Sequence, residues 1–268
     1  MSAAARTWRA LPTLLRVGVA ETVAYRAEFL VWILTTTLPL VMLGLWTRVA
    51  AEHPFQGYTP AAFTAYYLSN LIVRNLTGSW VSWQISEEIR IGSMSMRLLR
   101  PIHPYVAFAA SHLAAVPFRS IVALPIAGLL LISSGASALT TEPLQLALLV
   151  PSLMLAWVIT FSLLFMLGCL AFFVTKAMAL LNLYFALFSL LSGYLLPIPL
   201  LPAALRTAAE VLPFRFMLSA PIELMTRPLT GRALAGILAG QLAWAVITTA
   251  LALWVFRRGV RRFEAVGG

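Results

Sequence analysis

The chain has 268 residues, 61% of them hydrophobic and only 10% charged, with a net charge of +10. A soluble domain of ordinary composition is roughly a quarter charged, so this composition excludes one and predicts an all-α polytopic membrane protein with room for about six spans of roughly 20 residues. There is no aspartate, the only lysine is Lys176 and the only cysteine is Cys169, which removes aspartyl-phosphate chemistry, a Walker B carboxylate, aspartate-rich metal sites and any disulfide within the chain.

Residues 6–26 have the spacing of an amphipathic helix. At about 100° per residue, Leu11, Leu15 and Val19 share a face with Trp8, and Arg6, Arg9, Thr13 and Arg16 share the other. An apolar stripe with an Arg-rich opposite face suits the membrane interface; the alternative is a helix packed on the protein. The first apolar run starts near Phe29, later and longer than a signal peptide.

Six apolar stretches then predict spans at about residues 29–47, 60–81, 105–131, 144–175, 178–196 and 234–256. Between the second and third lies a dense mixed-charge segment from Trp83 to Pro101, with Glu87, Glu88, Arg90, Arg97 and Arg100 at helical spacing. It should face water, and either dock on another protein or rest on lipid headgroups. Residues 197–232 hold Pro197, Pro199, Pro202, Pro213, Pro221 and Pro228 yet stay apolar, with Leu201, Ala204, Leu205, Ala208, Val211 and Leu212 at helical spacing. Short proline-bounded helices of this kind can dip into the outer leaflet and return, provided that protein or a wet cavity covers their ends; a plain outer loop is the alternative.

Orientation follows from the basic residues. With the N-terminus inside, the inner segments hold Arg6, Arg9, Arg16, Arg26, Arg90, Arg97, Arg100, Lys176, Arg257, Arg258, Arg261 and Arg262, against Arg48, Arg206, Arg215, Arg227 and Arg232 outside. The positive-inside rule therefore puts both termini and the charged segment in the cytoplasm. It also accounts for the net positive charge without nucleic acid.

Enzyme motifs are missing. His53, His103 and His112 stand in no His-Glu-x-x-His pattern, there is no Gly-x-Ser-x-Gly elbow, and no Gly-x-x-x-x-Gly-Lys-Ser/Thr loop for ATP. No acid sits clearly inside a span, which counts against an autonomous proton- or sodium-coupled transporter. The ionisable residues at depth are Arg74 and Arg119. Asn70, Arg74 and Thr77 form one stripe on the second span. With Arg119, and with Asn182 on the fifth span, they are the candidate pathway residues. They would contact an anionic substrate or lipid headgroup; otherwise the arginines snorkel or cap helix ends. Gly236 and Gly240 form a Gly-x-x-x-Gly in the last span that permits close helix approach, within the chain or across a dimer.

Two local signatures, Ile89-Arg-Ile-Gly92 followed by Leu98-Leu99-Arg100-Pro101-Ile102-His103-Pro104, and Leu212-Pro213-Phe214-Arg215-Phe216 with Pro221-Ile222-Glu223-Leu224, stand in order within this layout. The whole chain, read as a single transmembrane domain over residues 1–268, resembles the ABC type-2 exporter permeases, in the branch described as ABC-2 family transporter protein. The resemblance implies that residues 83–100 are a coupling helix seated in a groove of a separate cytoplasmic ABC ATPase dimer. Glu87, Glu88, Arg90 and Arg97 would then make rim contacts, while Ile89, Ile91 and Met94 fill the groove. It further implies a second permease copy or a related permease, hetero-assembly being favoured, and a pathway lined partly by the second and fifth spans. The family's substrates range over drugs, lipids, polysaccharides and peptides; Arg74 and Arg119 at depth lean toward an amphiphilic or lipid-like substrate with an anionic group, leaving across a plasma membrane (a bacterial inner membrane). ATP and Mg would be bound by the partner, with no cofactor and no catalytic residue in this chain. A secondary transporter and a structural membrane subunit are the rival classes.

Overall fold

The computed structural model describes residues 12–20, 38–174 and 177–263, without the side chains of 119, 122, 123, 177 and 178, and these residues form helices joined by turns. In chain order they are α1 (12–20), α2 (Leu38–Glu52), α3 (Pro60–Thr77), α4 (Val81–Arg90), α5 (Met94–Leu98), α6 (Pro104–Leu130), α7 (Pro143–Cys169), α8 (Ala177–Leu191), α9 (Ala203–Val211), α10 (Pro213–Met217), α11 (Ser219–Thr226) and α12 (Gly231–Val260). Among the described residues two helices, Pro143–Phe172 and Gly231–Val260, are long and apolar enough to cross a bilayer.

Helix ends depart from the apolar pattern where the backbone chemistry demands it. The second apolar stretch stops at Thr77 instead of Val81, because Gly78, in extended conformation, ends α3. The charged segment, expected as one helix over 83–100, is two. Gly92 takes a left-handed φ of +79° that only glycine adopts cheaply, and α4 and α5 meet there. Residues 178–196 form a helix only to Leu191, since Gly193 (φ +87°) turns the chain. α6 opens at Pro104 with the His103 ring accepting from the Tyr105 N–H at 3.2 Å. It accommodates Pro117 and Pro125, then continues as a π turn over Leu131–Gly135. α12 exceeds its apolar core at both ends, starting from a Thr230 side-chain cap. Of the first span only residues 38–47 are described, and they continue helically to Glu52. Thr175 lies outside the described residues.

α7 is the central post. It packs along α12 and against α3, α4, α10 and α11. In a membrane no hydrophobic driving force separates helix contacts from lipid contacts, so packing and interhelical hydrogen bonds hold the bundle. Both are present. Trp157 stacks on Phe161 at 4.9 Å, and Tyr105 and Phe108 of α6 meet Phe165 edge-on at 5.1 and 6.2 Å. Tyr105, Ser162 and Thr249 join α6, α7 and α12 by hydroxyl bonds of 2.8 and 3.0 Å. The buried Gln241 amide donates to the Ser152 and Phe216 carbonyls, tying α12 to α7 and α10.

Segment 197–232 holds the three short helices α9, α10 and α11 separated by breaks, and the helical spacing of 201–212 falls on α9. α9 is a surface helix with an exposed Arg206–Glu210 pair. α10 and α11 are largely buried against α7, α12 and α3. The Gly-x-x-x-Gly divides. A Cβ on Gly240 would lie 2.4 Å from the Phe216 ring, whereas Gly236 faces open space. Of residues 6–26 only α1 is described. It leans on α6 through Gly18, where a Cβ would come 2.8 Å from the Ser111 Cα, and Val19 stays exposed. Arg6, Trp8, Arg9 and Leu11 lie outside the described residues.

Candidate functional site

The charged segment is fixed to the bundle along one face of α4. Val81, Ser82 and Ile85, at helical spacing, are buried against the end of α7. The close approach depends on Gly168, where a Cβ would stand 2.9 Å from the Ser82 carbonyl oxygen and 3.0 Å from the Ile85 Cβ. The Ser86 hydroxyl donates to the Gly168 carbonyl at 3.4 Å. At its start, α4 is held by the buried His112 of α6. Its Nδ1 lies 3.1 Å from the Ser79 hydroxyl and its Nε2 lies 3.2 Å from the Gln84 side-chain Oε1, with the Trp80 ring tilted against it at 4.5 Å. The sequence offered no sign of this role for His112, because its partners, Ser79 before α4 and Gln84 on it, are about 30 residues away in the chain.

The two acid–base pairs of the segment differ in kind. Glu87 and Arg90 form a bidentate pair with bonds of 2.6 and 2.9 Å, out in solvent. The Arg90 guanidinium holds the Glu87 carboxyl below its ordinary value. Glu88 and Arg97 form a second bidentate pair across the Gly92 turn, largely shielded from solvent, with the Arg97 guanidinium 4.0 Å above the Phe108 ring of α6. The second pair therefore clasps α5 to α4 and both to α6.

This geometry corrects the expected groove contacts. Met94 is fully buried (0% exposed) and plugs the core beneath α5. Ile89 is half-buried against the same core. Glu88 and Arg97 are spent on each other. The surface left outward carries Glu87, Arg90, Ile91, Met96 and Leu99, the last 80% exposed. A straight helix over 83–100 does not bring Met96 and Leu99 to this surface; the Gly92 turn, which reorients α5, does.

The polar stripe of α3 faces inward. The buried Asn70 amide donates to the Gly193 and Tyr194 carbonyls, and Thr77 donates to the Val73 carbonyl of its own helix. The Arg74 guanidinium lies over Phe188 at 4.9 Å and Tyr194 at 5.9 Å, with its Nε buried and lacking a hydrogen-bond partner. The Tyr184 hydroxyl, one helical turn before Phe188, is likewise buried without a partner. Asn182 is not brought to this cluster; it sits on the exposed face of α8. Arg119 is a residue of α6 whose side chain falls outside the description.

Nearby, Glu223 of α11 accepts from Arg215 at 2.9 and 3.3 Å and from the Ser219 hydroxyl at 3.2 Å. The sequence left Glu223 without a partner, because eight residues and a helix break separate it from Arg215. Among the described residues no cluster of His, Cys or Glu is arranged to hold a metal ion.

A family model described as ABC-2 family transporter protein matches residues 28–267. No curated protein matches the chain.

Proposed function

The chain belongs to the ABC-2 transporter family, a family of transport membrane components, and from that premise we propose that it is the membrane-spanning permease subunit of an ATP-driven exporter powered by a separate ABC ATPase. The observation that carries this reading is the surface of α4 and α5. Apolar Ile91, Met96 and Leu99 project beside the charged Glu87 and Arg90, and apolar side chains ringed by charge suit a protein–protein contact. The same segment is mounted without slack on α6 and α7. A push on it would pass through Gly168 into α7 and through Arg97 and Phe108 into α6.

In this reading six helices cross the plasma membrane of a bacterium, with both termini in the cytoplasm. A second copy, or a related permease, completes the pathway, and hetero-assembly is favoured. The pathway opens along the seam between α3 and the end of α8. There Arg74 and Tyr184 hold buried polar atoms without partners, a costly arrangement that an anionic headgroup of an amphiphilic substrate would relieve. Closure of the ATPase dimer would alter that seam, so that substrate is held more weakly in the outward state than in the inward one.

Affinity purification of the tagged chain from its native membrane tests the partnership. A P-loop ATPase should co-purify in stoichiometric amount, and its consistent absence would return the chain to the structural-subunit or secondary-transporter class. For the pathway, Arg74→Ala should reduce transport with assembly intact; undiminished transport would leave Arg74 a structural residue.

A further inference from the structure

α12 carries a stripe that neither the coupling surface nor the pathway uses. Ile247, Leu251, Trp254 and Arg258 recur at steps of four, three and four and so share one face of α12, and Arg262 lies in the turn just past its end at Val260. All five are exposed, Trp254 by 56%. Ala245, Thr248, Ala252, Val255, Phe256 and Gly259 on the other side of α12 are buried, so this face looks away from the bundle. The Arg258 guanidinium lies 5.4 Å from the Trp254 ring centre and the Arg262 guanidinium 5.4 Å from that of Phe173. Arg257 and Arg261 flank them, also exposed. Among the described residues no carboxylate pairs with any of the four.

Four cations exceed what the partial negative charge of one helix C-terminus, about half a unit, would balance. The guanidinium fork matches phosphate bidentately, and the rings behind Arg258 and Arg262 hold two such forks in place. A free anion would not use the apolar run below them. From Ile247 to Trp254 that run is about 10 Å long, at 1.5 Å per residue, a length of acyl chain. Tryptophan at the junction is a headgroup-level anchor, and clustered arginines at the cytoplasmic end of a span attract anionic lipids.

We propose that this stripe is a binding site for one anionic phospholipid, with its phosphate on Arg258 and Arg262 and an acyl chain along Trp254, Leu251 and Ile247. The site rests on the membrane-spanning reading of α12 and not on the ATPase partnership. It adjoins the packed ends of α7 and α12, where Phe172 meets Phe256 at 6.2 Å and Phe263 at 5.5 Å and His103 meets Phe256 at 5.3 Å. A bound lipid would therefore brace the loop that follows α5.

Thermal unfolding of the purified full chain in uncharged detergent tests this without any partner. Added dioleoylphosphatidylglycerol should raise the midpoint by several degrees, with the rise shrinking as salt is added; dioleoylphosphatidylcholine and inorganic phosphate should not raise it. Arg258→Gln with Arg262→Gln should abolish the rise, while Arg206→Gln with Arg232→Gln keeps it. Should the first pair fail to fold, Arg258→Lys with Arg262→Lys keeps the charges and loses the forks, and should show a smaller rise. An equal rise with phosphatidylcholine or phosphate, or a full rise in the Gln or Lys pair, would overturn the proposal. Loss of ATPase co-purification would leave it standing.

Discussion

Arg97 reaches back across the Gly92 turn to Glu88, pairing bidentately with its carboxylate, while its guanidinium covers the Phe108 ring at 4.0 Å. One contact thus joins α4, α5 and α6. Breaking it should cost structure, unlike breaking the exposed Glu87–Arg90 pair, since solvent-exposed pairs contribute about 0–1 kcal/mol. Glu88→Ala leaves a shielded guanidinium unpaired and should destabilise by about 1–3 kcal/mol. Glu87→Ala should change the unfolding midpoint little. Thermal unfolding in detergent compares them, and exchanging the charges with Glu88→Arg and Arg97→Glu should recover part of the loss.

Gly168 sets the distance between α4 and α7. Gly168→Ala would put a methyl group 2.9 Å from a backbone carbonyl oxygen, which cannot rotate away, so α4 must shift. The expected cost is about 1–3 kcal/mol. In a reconstituted complex, communication with the ATPase should weaken even under conditions where the variant stays folded.

The two glycines of the Gly-x-x-x-Gly should respond oppositely. Gly240→Ala meets the Phe216 ring and should destabilise, by less than Gly168→Ala if the ring can swing aside. Gly236→Ala meets nothing within 4 Å and should gain up to about 1 kcal/mol of helix propensity. A large loss at Gly236 in the assembled complex, absent in the isolated chain, would mark a contact with a second subunit.

His103 caps α6 through an unprotonated Nδ1, and partial desolvation and then the Arg257 charge hold its pKa below the ordinary imidazole value. A depressed folded pKa means that this contribution is complete above the unfolded value of about 6.5 and is lost as pH falls from there through the folded value. The unfolding midpoint should therefore drop modestly between neutral and mildly acid pH. His103→Asn, which can still cap, should lack that component.

Much of this was legible beforehand. Apolar runs gave the cores of α3, α6, α7, α8 and α12, because long apolar helices are set by composition. The helical spacing of 201–212 gave α9. The charged segment stood out because so few charges surround it. Its internal geometry did not, because Gly92 is one residue whose left-handed turn sends Met94 inward and Met96 and Leu99 outward. The Arg215–Glu223 pair and the His112–Ser79–Gln84 network were hidden for a related reason: their partners sit on different segments of the fold. The stripe of Asn70, Arg74 and Thr77 was visible as a face, but its bonds to the Gly193 turn depend on where α8 ends.

The most direct measurement is the ATPase rate of the partner in proteoliposomes with and without this chain. Ile91→Glu combined with Leu99→Glu alters side chains that are 60% and 80% exposed, so folding and the unfolding midpoint should be preserved. The coupling account predicts that the chain stimulates the ATPase and that the double variant returns the rate to its unstimulated level. Stimulation undiminished in a folded double variant would contradict it.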